Sequence, residues 1–142
     1  IQSALQQASR FNLKSKDAFK KYISKYFKVG LLSTLLVAII TFIFSEVIIY
    51  IFSAEKIDYS SKILSILAFI PFLAMLNFKN VIYLLVNDLK SILNKATFFT
   101  MIFMLLSSLI LSRLYSGLGL AYALVFTELV SFIIHYYLIN KK

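Results

Sequence analysis

Cysteine and tryptophan are absent from this chain of 142 residues, which also holds one proline, one histidine, three glycines and six acidic residues. Without cysteine there is no disulfide framework, no thiolate metal site and no cysteine nucleophile. One histidine cannot build a metal site or a catalytic pair by itself, and no glycine loop of the phosphate-cradling kind is present. The signatures of soluble enzymes are therefore missing. The shortage of glycine and proline leaves little of the chain free to be loop. What fills it is apolar: 61% of the residues are hydrophobic and the mean hydropathy is +0.86, well above the usual share of a soluble domain.

The apolar residues fall into four long runs, at about 29–52, 63–86, 96–112 and 118–139. A bilayer's hydrocarbon core takes about 20 apolar helical residues to cross, and each run meets or approaches that length with only a short connection to the next. A soluble four-helix bundle would carry polar residues at helical period, and the stretches 34–44 and 98–106 have almost none. Lipid accepts such a chain when every backbone polar group is bonded inside its own helix. The expected fold is all-α: a polytopic bundle of four transmembrane helices, residues 29–142, preceded by a basic segment at 1–28.

The net charge of +9 would point to nucleic acid in a soluble protein. The positions of the charges point to a membrane instead. Arg10, Lys14, Lys16, Lys20, Lys21, Lys25 and Lys28 precede the first run, Lys90 and Lys95 separate the second from the third, and Lys141 and Lys142 follow the fourth. The other two connections hold Lys56, Lys62 and Arg113, the first two accompanied by Glu55 and Asp58. The excess of basic loop residues places both termini and the middle loop in the cytoplasm. Tyrosines, with their apolar rings and wet hydroxyls, gather near both sets of run ends, as an interfacial belt requires. Within 16–28, Phe19, Tyr22, Ile23, Tyr26 and Phe27 share one helical face and lysines take the other. This segment reads as a cytoplasmic extension of the first helix lying on the anionic inner leaflet, or else as a helix that binds lipid headgroups or a partner.

Residues 1–8 lack the charged start, long apolar core and cleavage site of a signal peptide. The chain begins with Ile1, and residues 1–9 resemble the tail of an earlier membrane helix, so a longer protein is expected. Heavy use of Lys, Ile, Phe and Asn hints at an AT-rich bacterial genome.

Chemistry is sought among the polar groups inside the apolar runs. A charge at the bilayer centre costs about 2.5–3.5 kcal/mol on the insertion scale and normally faces protein or water. Glu128 stands near the middle of the fourth run and cannot snorkel, so it is neutralised, paired or beside a wet cavity. It is either a carboxylate that couples proton or sodium movement or a structural group bonded to a neighbouring helix. Lys79 lies inside the second run, where its stem can reach toward the interface; the other roles open to it are facing a substrate phosphate and pairing with Glu128. Asn77 and Asn80 flank it and widen a polar stripe. Glu46, in the outer half of the first run, is a second transport or cavity candidate that can pair with a cation or accept a proton, and its other role is structural. Pro71 kinks the second run by removing a backbone bond. Asp88, Ser91 and Asn94 are suited to capping, and Gly117 and Gly119 to a tight outer turn. Ser107, Ser108 and Ser112 allow close helix approach. His135 and Arg113, close to helix ends, are assigned to the interface.

These residues carry a family resemblance. The passage YSGLGLAYALVFTELVSFIIHYYLINKK, 115–142, with Gly117, Gly119 and Ala121 opening the helix, Thr127–Glu128 in its middle and Lys141–Lys142 at its end, resembles the close of bacterial polysaccharide flippases of the Wzx type, within the multidrug/oligosaccharidyl-lipid/polysaccharide exporter superfamily. The passage ILSILAFIPFLAMLNFKNVIYLLVNDLKS, with Pro71, a polar stripe and a basic loop, resembles a second part. The family often has Gln near Asn80 and Gly near Asp88, and this chain departs at both. The likeness covers about residues 20–142. It implies a transporter of twelve or so helices in two lobes, of which these four end the second. It further implies translocation of undecaprenyl-diphosphate-linked oligosaccharide repeat units across the bacterial inner membrane by alternating access, for O-antigen or capsule assembly. The implied partners are that lipid-linked substrate, membrane lipids, and polysaccharide polymerase and chain-length proteins. No resident cofactor is implied.

Other readings stay open. A multidrug exporter of the same superfamily would bind organic cations, so acidic groups should outnumber basic ones in its cavity. A scaffold subunit of a polysaccharide assembly complex would use Lys79 and Glu128 as an interhelical pair. A membrane glycosyltransferase or polymerase would need longer outer loops than these.

Overall fold

The computed structural model describes residues 16–55 and 57–141, with the side chains of 16–20 and 22 outside the description. The expectations for residues 1–15, for Lys56 and Lys142, and for the side chains of Phe19, Lys20 and Tyr22 therefore lie outside the described residues. Among the described residues the secondary structure is helical throughout, in the order α1 (Lys16–Ile43), α2 (Ser45–Ser53), α3 (Asp58–Leu67), α4 (Ile70–Val86) and α5 (Lys90–Asn140). Three helical stretches are long and apolar enough to cross a membrane: Ile23–Ile43, Asp58–Val86 and Lys90–Asn140.

The helices begin earlier than the apolar runs do. The basic stretch from Lys16 and the first apolar run form one helix, which bends at Phe44. Helical hydrogen bonds continue through the bend, Phe44 N to Ile40 O at 2.9 Å and Ile48 N to Phe44 O at 2.8 Å. The second run is interrupted at Ala68–Phe69, with Pro71 in the first turn of α4. Proline has no N–H to donate, and its ring presses on the carbonyl four residues back, which is that of Leu67. Four hydroxyls in and beside the apolar stretches are satisfied locally: Thr34, Ser61, Thr100 and Thr127 each donate to the carbonyl four residues earlier. Such bonds keep a polar side chain inside its own helix.

The third and fourth runs share the stretch Lys90–Asn140, which is not straight. At Ser116 the backbone takes φ 53° and ψ −132°, and the chain doubles back. The Cα hydrogen side of Gly119 lies directly against the main-chain carbonyl of Leu111, although eight residues of straight helix would separate them by about 12 Å. Farther down, residues 99–106 and 130–138 face each other across a cleft of about 530 Å³. The two arms, 90–115 and 117–140, therefore run antiparallel. The reversal does not use glycine φ freedom: both turn glycines have negative φ, and Gly119 serves by lacking a side chain where two backbones meet. Tyr59 completes the turn, its hydroxyl accepting from the Leu118 N–H at 3.2 Å, one of the amides a helix start leaves unbonded.

The turn between α4 and α5 also differs from the expected capping. Asn87 closes α4 by donating its side-chain amide to Tyr83 O at 2.8 Å. Asp88 adopts a left-handed φ of 54° and pairs with Lys90 at 3.0 Å. Leu89 stands at the start of α5 without a side-chain cap, so Ser91 and Asn94 do not fill that role.

Gly30 of α1 packs on Met75 of α4, the Phe42 and Phe69 rings meet tilted with centroids 5.7 Å apart, and Ile23 joins Ile82, Phe78 and Val86 in a buried cluster. These contacts set α1 antiparallel to α3–α4. Tyr59 and Ile63 meet Gly117, and Asn77 meets Glu128, so α3–α4 runs parallel to the second arm of α5, between that arm and α1. The buried apolar residues are largely alanines, among them Ala38, Ala68, Ala96, Ala121 and Ala123. Small side chains of this kind let helices approach closely where dispersion rather than water exclusion drives packing. Large apolar side chains, including Leu32, Ile51, Phe52, Leu109 and Leu114, point outward.

Candidate functional site

The second arm of α5 buries one narrow stripe. Gly119, Ala123, Thr127, Ser131 and His135 follow at intervals of four and are all buried. Residues four apart lie on one helical face, and this face is small above and polar below. Against it α4 turns Leu73, Asn77 and Leu84, also buried. The polar groups of the two helices meet at Asn77, which is 7% exposed. Its side-chain amide donates to Glu128 twice, to the main-chain oxygen at 3.2 Å and to Oε2 at 3.3 Å. Two acceptors around one atom identify that atom as the nitrogen, since the reversed amide would set oxygen against oxygen. The carbonyl oxygen of Asn77 is then buried with no donor.

Three more buried polar atoms among the described residues lack a partner: Asn80 Nδ2, Ser108 Oγ and His135 Nε2. Asn80 is one turn below Asn77 on the same helix. Ser108 lies on the first arm, eight residues before the reversal, and Glu128 lies twelve after it, so their depths differ by about one turn. His135 is 4% exposed, and its Nδ1 is 2.8 Å from Ser131 O. A carbonyl only accepts, so Nδ1 carries a proton and donates. When the ring is neutral, Nε2 is an acceptor with nothing to accept. Buried polar groups are normally hydrogen-bonded, and two of the four exceptions, Asn77 Oδ1 and Asn80 Nδ2, lie one turn apart on α4.

Of the residues singled out from sequence, Glu128 and Asn77 come together here, and Asn80 lies one turn along α4 from Asn77. Lys79 does not join them. It is exposed on α4, and no ion pair joins it to Glu128; the ion pair among the described residues is Lys90 with Asp88. The stripe of Asn77, Lys79, Asn80 and Tyr83 splits: Asn77 and Asn80 turn inward, Lys79 and Tyr83 outward. Consecutive positions differ by about 100° around a helix, which is enough to separate neighbours. Glu46 is exposed on α2, away from the zone, and Pro71 is exposed at the start of α4. Arg113 is exposed. His135, expected near the interface from its place by a helix end, is buried against protein, since nearness to a helix end does not decide which face a side chain occupies. The four-residue spacing from Gly119 to His135 was the available signal, and it lay inside an otherwise apolar run. No three His, Cys, Asp or Glu side chains gather as a metal centre among the described residues.

No family model, curated protein or solved structure matches the chain.

Proposed function

We propose that the chain is the closing part of a membrane flippase that moves undecaprenyl-diphosphate-linked oligosaccharide repeat units from the inner to the outer leaflet by alternating access. The reading rests on the resemblance in 115–142 and on one structural observation, the Asn77–Glu128 contact set among unpartnered polar atoms between apolar helices. Polar groups at such depth are costly and mark pathways or coupling sites in membrane proteins. The reversal at Ser116 supports four crossings, with both termini and the 87–89 turn on the cytoplasmic side. A glycan and a diphosphate do not cross hydrocarbon unaided. In this reading the two lobes of the complete protein shelter the head, the lipid tail stays in the bilayer, and Glu128 couples proton or sodium movement to the change of access.

The test is deletion of the gene in its host. Lipid-linked repeat units should accumulate on the inner leaflet and surface polysaccharide should disappear, both restored by the intact gene. Unchanged surface polysaccharide removes this function.

A second reading has one observation in its favour. The buried zone holds a carboxylate and no cation, because Lys79 faces outward. That balance suits an exporter of organic cations of the same superfamily. Deletion would then raise sensitivity to cationic dyes and leave the lipid-linked sugars in place.

A further inference from the structure

The cleft between the two arms of α5 has no part in the Asn77–Glu128 zone. Phe99, Phe103 and Leu106 form one wall, and Ile134, Tyr137 and Leu138 belong to the other. Its walls are apolar along their length and open on the outer surface of the bundle. Lysines mark its inner end. Lys95 is four residues before Phe99, on the same helical face, and is exposed. Lys141 holds its Nζ 5.7 Å from the ring centroid of Tyr137, itself a wall residue. The nearby acid, Asp88, is already engaged by Lys90, so neither Lys95 nor Lys141 is neutralised by it.

We propose that this cleft binds an anionic glycerophospholipid of the inner leaflet, one acyl chain between the arms and the phosphate between Lys95 and Lys141. The proposal rests on the reading of the chain as a membrane bundle with its termini in the cytoplasm, and not on the identity of the transported substrate. Length and charge choose the occupant. Residues 130–138 cover about 12 Å of helix axis, close to the roughly 15 Å of hydrocarbon in one leaflet, which fits an acyl chain; a polyprenyl tail is far longer than that. Two lysines at the mouth prefer a net negative headgroup to a zwitterionic one. The bound lipid would fill the gap between arms that touch tightly at the Ser116 turn and part toward the cytoplasm.

The full-length protein carrying Phe103→Trp tests this in vesicles of phosphatidylcholine and phosphatidylglycerol with brominated chains on one or the other. No tryptophan occurs in these 142 residues, so the signal gained over the unsubstituted protein reports the cleft. Brominated phosphatidylglycerol should quench it at low mole fraction, while brominated phosphatidylcholine needs far more. In the Lys95→Gln/Lys141→Gln background the preference should fall by about thirty-fold, the loss of two near-surface lysines, and Lys62→Gln at the other end of the bundle should leave it unchanged. Equal quenching by the two lipids, a preference untouched by the double substitution, or displacement of phosphatidylglycerol by a polyprenyl phosphate at lower concentration would each overturn the proposal. None of these outcomes depends on which substrate is transported.

Discussion

Asn77 holds Glu128 by main chain and side chain together, its amide nitrogen 3.2 Å from the carbonyl oxygen and 3.3 Å from Oε2. One asparagine thus fixes both the position of the second arm and the orientation of its carboxylate. The two roles separate on substitution. Glu128→Gln keeps the main-chain acceptor and presents a side-chain oxygen of the same reach, so the melting temperature in detergent should stay within a few degrees. If the carboxylate couples ion movement, export by this variant should collapse. Normal export with Gln at 128 would remove the coupling role and leave a structural one.

Asn77→Ala acts on the other partner. It removes both bonds and should cost about 0.6–1.7 kcal/mol, the span measured for interhelical hydrogen bonds in membranes. Asn77→Asp should be worse, because it sets a second carboxylate against the first where an amide donor stood. Thermal unfolding of the three proteins in one detergent should give the order Asn above Ala above Asp. An Asp variant as stable as the parent would mean that the contact contributes nothing.

Ser116 carries a backbone conformation that side chains disfavour, φ 53° with ψ −132°. Such strain costs on the order of 1–3 kcal/mol, and glycine relieves it. Ser116→Gly should therefore raise the melting temperature, against the usual trend for glycine in a helical chain. Ser116→Val should lower it. If Gly destabilises, the strained turn is not a feature of the folded protein.

How much of this was legible in the residues depends on the scale of the feature. Apolar length shows in any helical projection, so the three membrane-length helices, Ile23–Ile43, Asp58–Val86 and Lys90–Asn140, were visible in the long apolar runs. The reversal was visible in the glycines of 115–119, but its strained position was not: sequence rules give positive φ to glycine, whereas here Ser116 takes it and Gly119 serves the close backbone approach. For Lys79 the sequence left snorkelling, a substrate phosphate and pairing with Glu128 open; rotation about α4 turns Asn77 inward and Lys79 outward, so Asn77 and not Lys79 meets Glu128. The burial of His135 was not legible because distance to the helix end speaks to depth, while burial follows the face. A four-residue stripe of small and polar side chains is hard to see when the other faces are apolar as well.

Glycines 30 and 119 should respond differently to the same added methyl group. At Gly119 a Cβ would strike the Leu111 carbonyl and crowd the Ser112 nitrogen, 3.0 Å away. Backbone on both sides cannot give way without opening the turn. At Gly30 the obstacle is the end of the Met75 side chain, which is unbranched and free to move. Gly119→Ala should destabilise by about 1–3 kcal/mol or more, as overpacking does, and Gly30→Ala by far less. Limited proteolysis near residue 116 should be faster only in the first variant. Equal effects would contradict the tight hairpin.

In a membrane-spanning chain the same hairpin decides the number of crossings, and the lack of cysteine in these 142 residues makes the question easy to put. If the arms of α5 are antiparallel crossings, residues 94 and 140 lie on one side and residue 115 on the other. If Lys90–Asn140 crossed as one helix, 94 and 140 would be on opposite sides. Asn94→Cys, Asn140→Cys, Tyr115→Cys and Ala54→Cys replace exposed residues, each in a full-length background free of other cysteines. A membrane-impermeant maleimide applied to intact cells should label 54 and 115, and should reach 94 and 140 only after permeabilisation, as the distribution of basic residues requires. Labelling of 94 but not 140 from outside would exclude the paired arms and, with them, the cleft and its proposed lipid.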